Sequence, residues 1–557
     1  MQLVNGLNFK NLRGDLFGGI TAAVVALPLA LAFGVSSGAG AIAGLYGAVI
    51  VGFFAALCGG TPAQISGPTG PMTVVMATVF ANVVENNPDN GLALAFTVVI
   101  LGGIFQISFG LMRLGKYITL MPYTVISGFM SGIGLIIICL QIGPFLGHPA
   151  SANVVESLRQ FSEFVSKPNF AAVGLGTLTL IIVFGWPARL NRLIPSPLLA
   201  LIVGTLISIH FLPDRDLRLI GDIPSGLPNL QMPAFPSLSQ LETMVGYGLM
   251  LGVLGSIDSL LTSLVADNIT RTQHDSDREL IGQGIGNLLS GLFGGLPGAG
   301  ATMRTVINVK TGGKTPISGM VHALVLLIIV LKAGGLTANI PHAVLAGILI
   351  KVGIDIIDWR FLNRAHQISL KATGIMYLVM FLTVFVDLIT AVAIGVFLGN
   401  LLTVKSLTDL QISKVKAITD PDEDLNLSAE EKQILKQAHG KILLFRLSGP
   451  MSFGAAKTIS QRIGMVNDYD VLILDLSDVP LLGVTASLAI ENTIEDACKQ
   501  NHQVFLVSTT GPVRQRLQKM KLLKLLPLEH QFGDRLSALR EALTYVKFSE
   551  SKITEKK

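Results

Sequence analysis

The sequence predicts an α-helical polytopic membrane protein of fourteen transmembrane segments in a seven-plus-seven inverted repeat, followed by a small α/β domain. Three observations predict it. Of the 557 residues, 50% are hydrophobic and only 14% charged, where a soluble chain carries about a quarter charged residues; the mean hydropathy is +0.61. Fourteen apolar runs, each able to span or half-span a bilayer, follow one another up to Lys405. The third and tenth are short and begin at glycine-rich breaks, seven segments apart.

The runs fall at 15–35, 41–58, 67–82, 91–111, 121–146, 169–187, 195–212, 243–264, 279–295, 300–310, 317–333, 339–356, 368–386 and 388–405. Lys and Arg concentrate in alternate loops: Lys10 and Arg13, Arg113 and Lys116, Arg189 and Arg192, Arg271 and Arg278, Lys310 and Lys314, Arg360 and Arg364. The opposite loops carry little, Arg159, Lys167, Arg215 and Arg218 among them. The positive-inside rule then puts both termini in the cytoplasm of a cell-membrane protein. No secretory signal peptide is expected, because Asn8 to Asp15 is polar and no small-residue cleavage pattern follows. The repeats divide at about residue 195, as 1–195 and 196–405. Since seven is odd, the second copy runs inverted.

The first break is Gly67-Pro68-Thr69-Gly70-Pro71. The second is Leu296 to Thr305, reading L-P-G-A-G-A-T-M-R-T. Unwound backbone at membrane depth survives only where it lines a cavity or is buried in protein. A helix that starts there presents unpaired N–H groups and the positive end of its dipole. Two such starts facing one spot make an anion site. Thr69 and Thr302 are placed to cap these helices and to donate to a ligand, while Gly298, Gly300 and Ala301 leave room beside the backbone. The bland alternative is that the glycines only permit close helix crossing.

Asp258 stands inside the eighth segment, and an intramembrane carboxylate is functional by default. Thr262 lies one turn on, on the same helical face. With carbonyls near Gly300 they would form an oxygen cage for a small cation. A protonated Asp258 would instead give proton coupling, and the residue types leave both open. Arg304, just inside the tenth helix, adds positive potential, pairs with a carboxylate or faces the vestibule.

Residues 406–440 are polar and read as a linker. Beyond them, strands at Ile442–Leu447, Val471–Leu476 and Val504–Val507 alternate with helices at Ala486–Lys499 and Val513–Lys521, an α/β domain over 441–547; 548–557 reads as a disordered tail. Cys58, Cys139 and Cys498 suggest no disulfide framework. The GGKT at 312–315 lacks the upstream glycine of a phosphate-binding loop, since Asn308 stands there. The histidines show no metal-ligand spacing, nothing suggests nucleic-acid binding, and no convergent acid–base pair suggests an enzyme.

Several stretches together resemble the SulP anion transporters, the solute carrier 26 group in animals. They are Asp15-Leu16 through Ala22 to Ala32, Gly67-Pro68-Thr69-Gly70, Ile126 to Gly132, and Arg304 through Thr311-Gly312-Gly313-Lys314-Thr315. The resemblance implies a core domain moving against a gate domain, a cytoplasmic STAS domain and a homodimer formed through it. Leu472 to Val479 resembles the central strand and loop of that domain. The sequence departs at Gly483-Val484-Thr485-Ala486: Val484 occupies the usual phospho-acceptor position, leaving only Thr485 as a neighbouring hydroxyl. Within the family the likeness is to sodium-dependent bicarbonate transporters. It implies a sodium site of Asp258, Thr262, Gly300 and Thr302, and bicarbonate contacts from Thr69, Ala301 and Thr302. No cofactor is implied beyond sodium as coupling ion. Other readings are a proton-coupled sulfate or dicarboxylate permease and a STAS-regulated anion channel.

Overall fold

A bilayer gives backbone polar groups no water to bond, so the apolar runs must close their hydrogen bonds as helices. The computed structural model describes residues 9–84, 87, 90–118, 121–151, 153–187, 190, 194–212, 217–221, 226–234, 238–386, 388–420, 427–464, 466, 468–507 and 511–554. Arg189, Arg192 and Arg215 of the charged loops lie outside these residues. The chain divides into two compact units, Met1–Gly399 and Asn400–Lys557.

Each of the fourteen runs is matched by one helix: α1 (Leu12–Ser36), α2 (Ala41–Cys58), α3 (Gly70–Val79), α4 (Gly91–Leu111), α5 (Tyr123–Phe145), α6 (Phe170–Gly185), α7 (Ser196–Phe211), α8 (Leu238–Thr270), α9 (Ser276–Leu292), α10 (Thr302–Lys310), α11 (Pro316–Thr337), α12 (His342–Ile356), α13 (Leu370–Phe385) and α14 (Leu388–Ser413). Among the described residues, six helices are long and apolar enough to cross a membrane on their own, or seven if the pair Val154–Ser166 and Phe170–Gly185, bent by 113°, is one span. Val154–Ser166 is an additional helix that hydropathy alone misses. It carries Glu156, Arg159 and Glu163, and Asn153 caps it by accepting the Glu156 amide at 2.9 Å.

Packing repeats when seven is added to each helix number. α1 packs on α11 and α8 on α4; α2 on α11 and α9 on α4; α1 on α10 and α8 on α3; α5 on α13 and α12 on α6. Helices α1 to α4 with α8 to α11 therefore form one bundle, and α5 to α7 with α12 and α13 another. Between α2 and α3 lies strand β1 (Ser66–Gly67); between α9 and α10 lies β2 (Ala299–Gly300). They pair antiparallel, Ser66 opposite Gly300 and Gly67 opposite Ala299. The two breaks thus meet, as the matched spacing predicts.

The second unit holds a five-stranded sheet in the order β3-β4-β5-β6-β7. Its strands are β3 (Val415–Ile418), β4 (Ile442–Ser448), β5 (Val471–Asp478), β6 (Gln503–Val507) and β7 (Gln531–Phe532), with β3 antiparallel to β4 and the rest parallel. Its helices are α15 (Ala429–Gln437), α16 (Phe453–Gly464), α17 (Val484–Lys499), α18 (Pro512–Lys519) and α19 (Arg535–Thr554). The parallel strands are buried on both faces, as helix-covered sheets are. Leu443, Phe445, Leu472 and Leu474 face one apolar cluster; Leu444, Val471, Ile473 and Phe505 face the other.

Two expectations change here. The stretch read as a linker, 406–440, contains the end of α14, the edge strand β3 and α15, whose Ser428 and Glu431 form a capping box. Its polarity marks a solvated edge, because Val415 and Ile418 are buried under it. The tail read as disordered continues α19 to Thr554, while 555–557 lie outside the described residues. Ala538, Leu539, Ala542 and Val546 bury one face of that helix, and extending a helix already nucleated takes little.

The β1–β2 crossing requires glycine. A Cβ on Gly298 would sit 2.5 Å from the Gly67 carbonyl carbon, whereas a Cβ on Gly174 meets nothing within 4 Å. Gly298→Ala should lower stability by about 1–3 kcal/mol, the usual range for overpacking. Gly174→Ala should leave the melting temperature of the detergent-solubilised protein unchanged or raised. Equal melting of the two variants would contradict this account of the crossing.

Candidate functional site

The breaks are held by side chains that take the place of helical hydrogen bonds. Asn287 of α9 clamps Gly298, giving Nδ2 to its carbonyl at 2.9 Å and accepting its amide on Oδ1 at 2.7 Å. Ser290 donates to the Leu296 carbonyl at 2.8 Å, and the Gly300 amide donates to Ser259 Oγ at 3.0 Å. The Ala301 amide donates to the Ile65 carbonyl at 2.9 Å, and the Ile65 amide to Thr305 Oγ1 at 3.0 Å.

The cation candidates come together. Thr262 Oγ1 lies 3.0 Å from the Gly300 carbonyl oxygen and 2.8 Å from Thr302 Oγ1. Asp258, one turn before Thr262, has a buried Oδ2 with no hydrogen-bond partner. Thr69 Oγ1 is likewise buried and unpartnered. Thr302 is exposed, with Ala301 and Asp258 half-buried, so solvent reaches the site. An oxygen set of one carboxylate, two hydroxyls and one carbonyl suits a hard cation.

Two details differ from the sequence reading. Neither threonine caps its helix through its side chain: Thr69 holds the N-cap position of α3 without a cap bond, and Thr302 is the first residue of α10, behind an N-cap Ala301. Both hydroxyls are thereby released from helix capping, and the helix starts keep their dipoles uncovered by side-chain oxygen. Arg304 is turned back into the protein. It is buried and gives Nη2 to the Pro68 carbonyl at 2.6 Å. Its guanidinium braces the first break, and its charge acts from behind the site.

A buried network underlies both breaks. Glu279 Oε2 accepts the Gly60 and Thr61 amides, each at 2.9 Å, and Oε1 accepts Gln64 Nε2 at 2.7 Å and Gln283 Nε2 at 2.8 Å. Gln283 also bonds Ser66 Oγ at 2.6 Å, and Gln64 packs under Gly300. Glu279 therefore faces four N–H donors, two on each carboxylate oxygen. Sequence reasoning passed over it. The signal was present: Glu279, Gln283, Asn287 and Ser290 recur at helical spacing as a polar stripe in an apolar run. Asp15 is a second such residue. It is fully buried and accepts the Lys314 and Thr315 amides on Oδ1, at 2.7 and 3.0 Å, tying α1 to the loop after α10.

The described residues enclose two large cavities among others. One, of about 720 Å³, is lined by Thr78, Glu156, Arg159, Glu242 and Tyr247 among others; the other, of about 610 Å³, by Met303, Ile307, Lys310, Lys351 and Asp355 among others. Neither contains Thr69, Asp258 or Thr302, but the second follows the exposed side of α10 from Met303. Lys351, paired with Asp355 at 2.5 Å, is a charge within the twelfth run that sequence reading did not single out.

Residues 12–379 match the sulfate permease family and residues 433–534 the STAS domain. The chain belongs to the sulfate permease family. It is a membrane transporter and not an enzyme. It is similar to the bicarbonate transporter BicA of Synechocystis sp., with 54% identity over 98% of this chain and 96% of the relative. It also resembles the solved transmembrane domain of a cyanobacterium bicarbonate transporter BicA, with 57% identity, TM-score 0.66, and coverage of 70% of this chain and 100% of that one. The murine Slc26a9 anion transporter shares the fold at 18% identity, with TM-score 0.83 over 97% of this chain and 92% of that one.

As a sulfate permease family member, the chain should depend on Glu279 for transport although no ligand need touch it. Glu279→Gln places an NH₂ among four donors, and one unpaired buried donor costs about 1–3 kcal/mol. Uptake by the correctly inserted variant should fall by about tenfold or more. Wild-type uptake in Glu279→Gln vesicles would remove it from the positioning network.

Proposed function

We propose that this chain takes up bicarbonate together with sodium across the cell membrane by alternating access, as a homodimer through its STAS domain, with that domain cytoplasmic. One observation supports the pairing of ions above the rest. An unpartnered buried carboxylate oxygen, Asp258 Oδ2, belongs to the same helix face as Thr262, which meets Gly300 and Thr302 at hydrogen-bond distance. The similarity to bicarbonate transporters supports the choice of anion.

Both ions are cargo. Sodium would draw on Asp258, Thr262, the Gly300 carbonyl and Thr302. To accept it, the Thr262 hydroxyl turns a lone pair inward and gives up its bond to Gly300. The bound charge offsets Asp258, and only then do the positive ends of α3 and α10 act on an anion without an opposing carboxylate. Thr69, the Ala301 side and Thr302 would contact bicarbonate; the Ala301 amide itself is engaged by Ile65. A single negative charge suits this arrangement, because the nearby cation Arg304 is buried against Pro68. The cavity beside Met303 and Lys351 supplies a route on one side of the site.

Radiolabelled bicarbonate uptake into vesicles, with and without sodium, tests the proposal. Uptake should be saturable and sodium-dependent, with sulfate neither carried nor competing. Asp258→Ala should abolish the sodium-dependent part while the protein still inserts; retained sodium dependence there would sink the cation assignment. Thr302→Ala should raise the half-saturating concentrations of both ions by about tenfold, about 1.4 kcal/mol each, because bicarbonate loses a hydroxyl donor and sodium an oxygen ligand. An effect on one ion alone would mean separate sites.

A further inference from the structure

We infer that the helix Val154–Ser166, between α5 and α6, lies on the bilayer surface and seats an apolar face at the boundary of headgroups and acyl chains. Its residues divide three ways around the axis, at about 100° per residue. Val154, Ser157 and Phe164 are buried against the protein: Ser157 Oγ donates to the Cys139 carbonyl of α5 at 2.8 Å, and the Phe164 ring stands 5.0 Å from that of His148. Glu156, Arg159 and Glu163 share one sector of about 60°. Leu158, Phe161 and Val165 share another of about 60°, and each is 46–53% exposed. A helix on a soluble protein divides between protein and water, and a lipid-facing span between protein and lipid. A third sector belongs to the line where protein, lipid and water meet.

The chain holds the helix at that line. The helix is bent by 113° against α6, which follows directly after residues 167–169. With α6 along the bilayer normal, the helix axis lies about 23° from the membrane plane, comparable to the ordinary tilt of a span, about 20°. The corner is pinned. Asn153 caps the helix, and Asn169 caps α6 by accepting the Ala171 amide at 3.0 Å. The Asn169 amide donates to the Leu146 carbonyl at 2.9 Å, and His148 Nε2 lies 2.9 Å from the Lys167 carbonyl oxygen. Gly147 permits this approach, with a φ of 90° and a Cβ position 2.5 Å from that of Asn169. α6 begins with Phe170, 82% exposed, and carries exposed Ile181 and Phe184 further on. A bilayer around this side of α6 meets the preceding helix at its edge.

The charges narrow the kind of lipid contact. Arg159 against Glu156 and Glu163 leaves the helix with an acidic excess, so apolar area holds it on the bilayer and attraction to anionic headgroups does not. The polar sector has a watery space to face: Glu156 and Arg159 line the cavity of about 720 Å³ together with Glu242 and Tyr247 of α8. Docking on lipid therefore places one wall of that cavity at the membrane surface.

The test uses the full chain in phosphatidylcholine vesicles, with and without bromine on the acyl chains, and reads tryptophan fluorescence. Trp186 and Trp359 give a background, measured on the unsubstituted chain in each lipid and subtracted. Phe161→Trp should lose about half of its emission in brominated lipid, since an interfacial apolar face sits about 5–10 Å into the headgroup and acyl boundary. Glu163→Trp, about 160° round the helix, should lose several-fold less. Leu158→Trp repeats the measurement if Phe161→Trp does not fold. Adding phosphatidylglycerol should leave the quenching unchanged. Equal quenching of Phe161→Trp and Glu163→Trp, no quenching of Phe161→Trp and Leu158→Trp (as solvent or a second copy on this face would give), or quenching that needs phosphatidylglycerol would overturn the proposal.

Discussion

Two residues of β1 pair with two residues of β2, and the transport unit is arranged around that pairing. The constraint is dielectric. At membrane depth an unsatisfied backbone group costs several kcal/mol, so two helices can begin in mid-bundle only if each break bonds the other. Glycine lets the chains approach, and the side chains of α8 and α9 fill what the strands leave open. The starts of α3 and α10 carry no side-chain cap, because the hydrogen bonds that support the breaks are made elsewhere.

The charges are divided by the same scheme. Glu279 and Arg304, the most obvious ionic groups near the breaks, are both engaged with backbone or amide partners. Asp258 differs, with a buried oxygen left without a hydrogen-bond partner. The buried polar groups thus divide into those that hold the scaffold and those left without a partner, Asp258 and Thr69 among them.

Much of this was legible in the sequence. Hydropathy finds a run for each of the fourteen helices, because a bilayer demands apolar segments, although the eighth and fourteenth helices, Leu238–Thr270 and Leu388–Ser413, extend past the runs 243–264 and 388–405. Proline and glycine mark both breaks, and their seven-segment separation anticipates their meeting. Less legible were features that depend on what faces what. Thr69 and Thr302 look like caps, yet whether a threonine hydroxyl turns to its own amide or to a neighbouring helix is decided by tertiary packing. Arg304 looks like a ligand because its charge is visible and its partner, the Pro68 carbonyl 236 residues away, is not. The α9 polar stripe was readable but hidden by an averaged hydropathy. In the second unit, β3 escaped notice because an edge strand with charges on one face resembles a linker.

Separation along the chain has a consequence for biogenesis. Ser66 meets Gly300, and Asp15 holds amides 299 and 300 residues further on. At about 5–20 residues per second, synthesis leaves the first break without its partner for roughly 10–50 s. During that interval the early helices reside in lipid or translocon with their polar junctions unmatched. The chain can insert in order, but it cannot lock in order: the first three helices become native only when the tenth and eleventh arrive.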